Sequence, residues 1–158
     1  MKITLRDIIA DPIHFLAFGF GSGLSPKAPG TVGTLVAMIF MPLLAQLSLV
    51  QQITLIIVAF VAGVWICGRS SKRLGVHDHG GIVWDEFVGY WIAAMFLPPE
   101  PIWWLAAFVV FRVFDIAKPW PICLADSKLD GGLGIMLDDV LAGLMALLSL
   151  NLVLYFIG

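Results

Sequence analysis

Thirteen residues, His77-Asp78-His79-Gly80-Gly81-Ile82-Val83-Trp84-Asp85-Glu86-Phe87-Val88-Gly89, hold two imidazoles and three carboxylates where a charged loop runs into an apolar stretch. Two later stretches repeat the pattern: Arg112, Asp115 and Lys118 close one apolar run, and Asp138-Asp139 open another. Ionisable groups are costly to hold in an apolar span and by default mark a functional site. Asp85, Glu86, Asp115, Asp138 and Asp139 are too many carboxylates to sit together uncompensated, because repulsion and desolvation disfavour the charged forms. Arg112 can pair with Asp115 at i,i+3 spacing, Lys118 adds a second cation, and a divalent ion would supply the rest. Hard oxygen ligands favour Mg2+ over Zn2+. Structural ion pairing between helices is the plainer alternative, and it leaves an acidic excess near lipid.

The other candidate groups carry weaker signals. His77 and His79, with Asp78 between them, lack the further Cys or His that a four-ligand zinc site needs. A loop imidazole suits a general acid for a leaving alkoxide or a contact to a polar head group; a plain solvated position suits it equally. The glycine-rich run over residues 19–34 contains Ser22, Gly23, Lys27 and Thr31. Its glycines let backbone amides approach an anion, and it opens onto a helix start. No Gly-Lys-Ser/Thr closes it as in a Walker loop, and a flexible turn explains it as well. Lys27 either meets phosphate as a point charge or simply marks topology. Cys67 and Arg73 have the Cys-x5-Arg spacing of cysteine phosphatases. Here the cysteine ends an apolar run instead of standing in a strand–loop–helix cradle that lowers a thiol pKa, so the match reads as coincidence.

The elements that must position these groups follow from composition. The chain has 158 residues, 60% hydrophobic and only 13% charged, with mean hydropathy +0.98. A soluble domain of this size could not bury so much apolar surface, so the expectation is a single domain over 1–158, all-α and integral to a membrane. A net charge of −2 offers no broad basic face for nucleic acid. Cys67 and Cys123 make a poor disulfide framework. Lys2 and Arg6 precede an apolar stretch, but Asp7 and Asp11 intervene and no small-residue cleavage site follows, so a removed signal peptide is not expected.

The pattern predicts five spans. The first covers residues 31–50, bent at Pro42, and a polar break at Gln51-Gln52 leads into the second at 53–67. A charged loop over 68–81 precedes the third span at 82–97, a short turn at 98–101 the fourth at 102–117, and a longer loop over 118–133 the fifth at 134–157. Residues 12–20 would cover only ~14 Å as a helix, about half a bilayer core, and read as an interfacial or re-entrant piece. Lys2, Arg6, Lys27, Arg69, Lys72, Arg73, Lys118 and Lys128 all fall on one set of connections, and the opposite set carries no Lys or Arg. The positive-inside rule makes the first set cytoplasmic. Asp85, Glu86, Arg112, Asp115, Asp138 and Asp139 then share one depth near that face. The tryptophans read as interfacial anchors or core packing, and Gly89 and Gly143 as points of close helix approach.

Taken together, these blocks resemble the phosphatidylglycerophosphatase A family of bacterial inner-membrane lipid phosphatases. The resemblance rests on Gly19-Phe20-Gly21-Ser22-Gly23-Leu24-Ser25-Pro26, Pro29-Gly30-Thr31, His77-Asp78-His79-Gly80, Val83-Trp84-Asp85-Glu86-Phe87, Phe111-Arg112, Asp115, Lys118-Pro119-Trp120-Pro121 and the run from Gly131 to Asp139. It implies Mg2+-dependent removal of the terminal phosphate of phosphatidylglycerophosphate, giving phosphatidylglycerol. On that reading Asp85, Glu86, Asp115, Asp138 and Asp139 supply metal ligands. Asp85, Arg112, Lys118, His79 and Asp78 supply catalytic groups. Ser22, Gly23, Lys27, Thr31 and His77, with Arg112 and Lys118, bind substrate. Whether water or an aspartate attacks phosphorus stays open. The competing readings are a small cation transporter or channel, since intramembrane carboxylates also line ion paths, and a silent lipid-binding scaffold.

Overall fold

Apolar side chains spaced for helices, punctuated by Pro and Gly, give an all-helical chain among the described residues. The computed structural model describes residues 5–76, 79–124 and 130–157. In order the elements are α1 (Leu5–Ala10), α2 (Pro12–Ala17), a 3-10 turn (Gly19–Leu24), α3 (Pro29–Ile39), α4 (Met41–Leu44), α5 (Leu49–Leu74), α6 (Trp84–Ala93), α7 (Pro101–Ala117) and α8 (Gly131–Ile157).

α6 is the hub. All nine residues from Asp85 to Ala93 are buried, because α6 packs on α8, α3, α5 and α7 at once. Ten residues make it only ~15 Å long. Tight contact with α8 depends on two glycines. A Cβ on Gly143 would lie 2.3 Å from the Gly89 carbonyl oxygen, and one on Gly89 would lie 2.6 Å from the Asp139 carbonyl oxygen. Both positions thus meet the expectation of close helix approach. α5 crosses α8 in the same manner, with a Cβ on Gly132 reaching 1.8 Å from the Val64 carbonyl oxygen.

α5 and α8, of 26 and 27 residues, are long and apolar enough to cross a membrane. The stretch Pro29–Leu44 is apolar but shorter, and α6 could not cross a ~30 Å hydrocarbon core alone. Large apolar side chains nevertheless point outward along α3, α5, α7 and α8, among them Ile39, Val61, Val113 and Leu148. Trp65 and Trp120 are exposed, while Trp84 and Trp91 donate through Nε1 to the Ala59 and Ala37 carbonyls inside the bundle.

Several boundaries differ from the sequence expectation. Gln51-Gln52 is no break: Ser48 and Gln51 form a capping box at the start of α5, and Gln52 Nε2 donates to the Leu44 and Leu47 carbonyls that end the preceding turn. These amides satisfy helix ends, so the connection sits earlier, at 45–48. The first span is interrupted at Phe40, two residues before Pro42, because proline has no N–H to continue the ladder. The charged segment after Cys67 stays helical through Leu74 and stops at Gly75, whose φ of 66° suits glycine. α8 starts at Gly131 rather than 134.

α2 lies against the end of α5, and α1 packs on α2. Asp11 caps α2 by accepting from the Ile13 N–H at 2.9 Å and pairs with Arg73; His14 Nδ1 lies 2.9 Å from Ser70 Oγ. The ends of α5 and α7 and the starts of α3, α6 and α8 therefore share one end of the bundle. All the described Lys and Arg residues gather there, and Glu100 alone of the described acids lies at the other end.

Candidate functional site

Asp85 and Glu86 occupy the first turn of α6, and Asp139 lies two turns into α8. The α6–α8 contact through Gly89 and Gly143 brings them together. One oxygen from each of Asp85, Glu86 and Asp139 lies within 4.8 Å of the others, and all three side chains are buried. Asp85 Oδ1, Glu86 Oε2 and Asp139 Oδ2 have no hydrogen-bond partner among the described residues. Buried polar atoms are normally satisfied, and three crowded carboxylates cannot all stay charged unless a cation or shared protons compensate. The donor set is all oxygen, which fits a hard divalent cation.

The other two acids have protein partners. Arg112 Nη1 lies 2.5 Å from Asp115 Oδ2, one turn along α7, and 3.8 Å from Glu86 Oε1. Lys118 ends α7 in a left-handed conformation, φ 42°, and its Nζ donates to Asp138 Oδ2 at 2.9 Å. Asp138 Oδ1 in turn accepts from the Asp139 N–H at 3.0 Å. The five expected ligands thus divide into an open trio and two acids tied to cations. Arg112 is fixed on one side by Asp115 and faces Glu86 on the other. That places a guanidinium beside the trio, suited to bind a phosphoryl oxygen in its plane.

The glycine-rich run divides too. Gly30, at the start of α3, touches the cluster directly: a Cβ there would lie 2.2 Å from Glu86 Oε1 and 3.2 Å from both Arg112 terminal nitrogens. Thr31 follows it, half-buried, and Thr34 Oγ1 closes the first turn on the Gly30 carbonyl. The earlier part docks elsewhere. Ser22 Oγ donates to the Gly19 carbonyl at 2.8 Å, Gly23 packs against the Gly81 carbonyl, and Lys27 is exposed. His79 Nδ1 accepts from the Gly81 N–H at 3.0 Å, with its ring on Phe18. His77 and Asp78 lie outside the described residues. Sequence reasoning passed over Gly30 as a site residue. The signal was present in Pro29-Gly30-Thr31, where a proline sets the helix start and a glycine follows. Cys67 is buried inside α5, its Sγ 3.9 Å from Met136 Sδ, and so forms no phosphate-binding loop.

A helical bundle that presents an unsatisfied carboxylate trio beside an anchored arginine is a class of protein with donors for a cation and an anion side by side. The chain belongs to the phosphatidylglycerophosphatase A family, whose match runs over residues 15–154. It is 47% identical over 151 residues to phosphatidylglycerophosphatase A of Escherichia coli K12, covering 95% of this chain and 86% of that protein. Against the Haemophilus influenzae phosphatidylglycerophosphatase A the identity is 48%, over 94% and 92%. A Bacteroides thetaiotaomicron protein provisionally named phosphatidylinositol-3-phosphatase is 38% identical, over 89% and 92%. No solved structure matches.

Proposed function

We propose that the protein hydrolyses the terminal phosphomonoester of phosphatidylglycerophosphate to phosphatidylglycerol and phosphate, with Mg2+, at the cytoplasmic face of the bacterial inner membrane. The observation that carries this reading is the trio of buried, unpartnered oxygens on Asp85, Glu86 and Asp139 beside Arg112. These three carboxylates would hold the ion. When bound, it neutralises phosphoryl oxygens and makes water a better nucleophile.

The chain's own groups supply the rest. Arg112, held by Asp115, binds a non-bridging oxygen and stabilises the charge that spreads over the phosphoryl group in the transition state. Lys118, oriented by Asp138, adds a second cation at the mouth. Water attacks phosphorus, the Asp85 oxygen that does not hold the ion takes its proton, and the ester P–O bond breaks. The leaving glycerol oxygen takes its proton from His79 in the imidazolium form. In this proposal Ser22, Gly23, Lys27, Thr31 and His77 contact the head group, and Asp78 assists catalysis.

The membrane setting is part of the proposal. Beyond Asp139, α8 continues for 18 residues to Ile157 with no charged side chain, ~27 Å of helix, close to the thickness of a hydrocarbon core. The trio would then sit at head-group depth, on the side where basic residues gather. A five-span arrangement would pair α5 and α8 with shorter crossings built from α3–α4, α6 and α7 and their flanking residues.

Phosphate release from purified protein in detergent tests the reading, with phosphatidylglycerophosphate, phosphatidic acid and phosphatidylinositol 3-phosphate as substrates, with and without EDTA. Release from the first that stops in EDTA and returns with Mg2+ is the expected result. Turnover untouched by chelation would overturn the metal assignment, and preference for another lipid would overturn the substrate.

A further inference from the structure

We propose that a lateral groove along α5 holds one acyl chain of the lipid substrate; this rests on the lipid-phosphatase reading above. The groove has a volume of about 690 Å3 and is lined almost wholly by apolar side chains. Val50, Thr54, Val58, Ala62 and Ile66 form one wall at four-residue spacing, one face of a helix. Trp84 and Trp91 of α6 form the floor, each fixed through its Nε1 to a backbone carbonyl. The polar lining groups turn to their own helix: Thr54 Oγ1 donates to the Val50 carbonyl at 2.7 Å, and the Gln51 side chain accepts from the Ser48 N–H.

Shape selects the occupant. From Val50 to Ile66 the groove follows ~24 Å of helix, so 690 Å3 leaves a mean cross-section of roughly 30 Å2. A helix ~10 Å across needs more than twice that. An extended hydrocarbon chain fits, and because it comes from hydrocarbon already, close packing and not transfer from water holds it there. Position selects the same occupant. Trp84 immediately precedes Asp85, so the groove meets the carboxylate trio at one depth. At that end it runs out beside Ile66, about one turn from Arg69 and two from Lys72. A chain lying in it would keep its head group at the charged end of the bundle.

The test combines chain-length dependence with direct capture. Ala62→Phe fills the groove, and Val61→Phe puts the same side chain on the outward, non-lining face of α5. With dipalmitoyl phosphatidylglycerophosphate, Ala62→Phe should raise KM about tenfold, while the chain-free glycerophosphoglycerophosphate shows no change. Val61→Phe should leave both substrates alone. In wild type, a phosphatidylglycerol carrying a diazirine in one acyl chain should crosslink to the segment Val50–Ile66 in preference to the outward face of α8. Equal KM shifts for both substrates, or crosslinks spread evenly over all outward faces, would overturn the groove assignment. Absence of phosphate release from every lipid would instead overturn the proposed activity, and the crosslink would still decide the groove.

Discussion

Replacing Gly30 by alanine should separate activity from stability. The new Cβ would stand 2.2 Å from Glu86 Oε1, where ordinary contact begins near 3.4 Å. Glu86 must therefore retreat by about 1 Å, taking with it the Oε1 that faces Arg112 at 3.8 Å. The backbone tolerates the change, since Gly30 is not among the glycines with positive φ, and alanine is the better helix former by up to ~1 kcal/mol. The clashing atom is the tip of a flexible side chain, so it moves at little cost to the fold. Reacting groups displaced by ~1 Å lose about a hundredfold in rate. Gly30→Ala should therefore melt within a few degrees of wild type and release phosphate about a hundredfold more slowly. The assay is steady-state phosphate release in detergent, paired with a thermal melt of the same sample. Activity above half that of wild type would refute the placement of Glu86 and Arg112 at the reacting centre. A collapse in melting temperature would refute the claim that Gly30 serves the site and not the packing.

Three further perturbations test other parts of the argument. Asp139→Asn should lower phosphate release roughly 100- to 1000-fold; in EDTA it should melt no lower than wild type, because one of three crowded carboxylates is gone, and Mg2+ should raise the melting temperature of wild type alone. Gly143→Ala should cost about 2–4 kcal/mol in denaturant titration, because its Cβ meets the Gly89 carbonyl oxygen, which cannot step aside without parting α6 from α8; a neutral result would refute the tight crossing. Asp11 is the pH-sensitive clamp of α2: burial pushes its carboxyl up, but the Ile13 N–H and Arg73 outweigh that and hold it below its ordinary 3.8. A lowered folded pKa stabilises above the unfolded value and is lost as pH falls through the folded one, so hydrogen-exchange protection factors in α2 should hold at neutral pH and fall only below about pH 4, a step absent in Asp11→Asn.

Much of this arrangement was legible in residue order. The charges that interrupt apolar runs, Asp85-Glu86, Arg112, Asp115 and Asp138-Asp139, do converge, because helices long enough to be read from composition place them at one end. Their division of labour was not legible. Nothing in spacing tells that Lys118 takes Asp138 or that Arg112 takes Asp115, since those choices depend on how far α7 and α8 are rotated about their axes. Gln51-Gln52 was misread because polarity alone cannot distinguish a break from a cap; Ser48 three residues before Gln51 was the missing clue. α6 was drawn too long because burial on every side and exposure to lipid both select apolar residues. Ser22 and Gly23 shared a glycine-rich run with Gly30, yet only the helix start carries the run as far as the carboxylates.

The carboxylate trio draws its third member from α8, the last helix described, and this bears on biogenesis. A ribosome that has finished α6 has delivered Asp85 and Glu86, with Arg112 still to come and Asp139 further behind. Until α8 slides in against Gly89, those two acids have neither the wall nor the company that makes them useful. On the proposed function, a nascent chain that lacks α8 would have no complete site, and activity would appear only once α8 packs on α6.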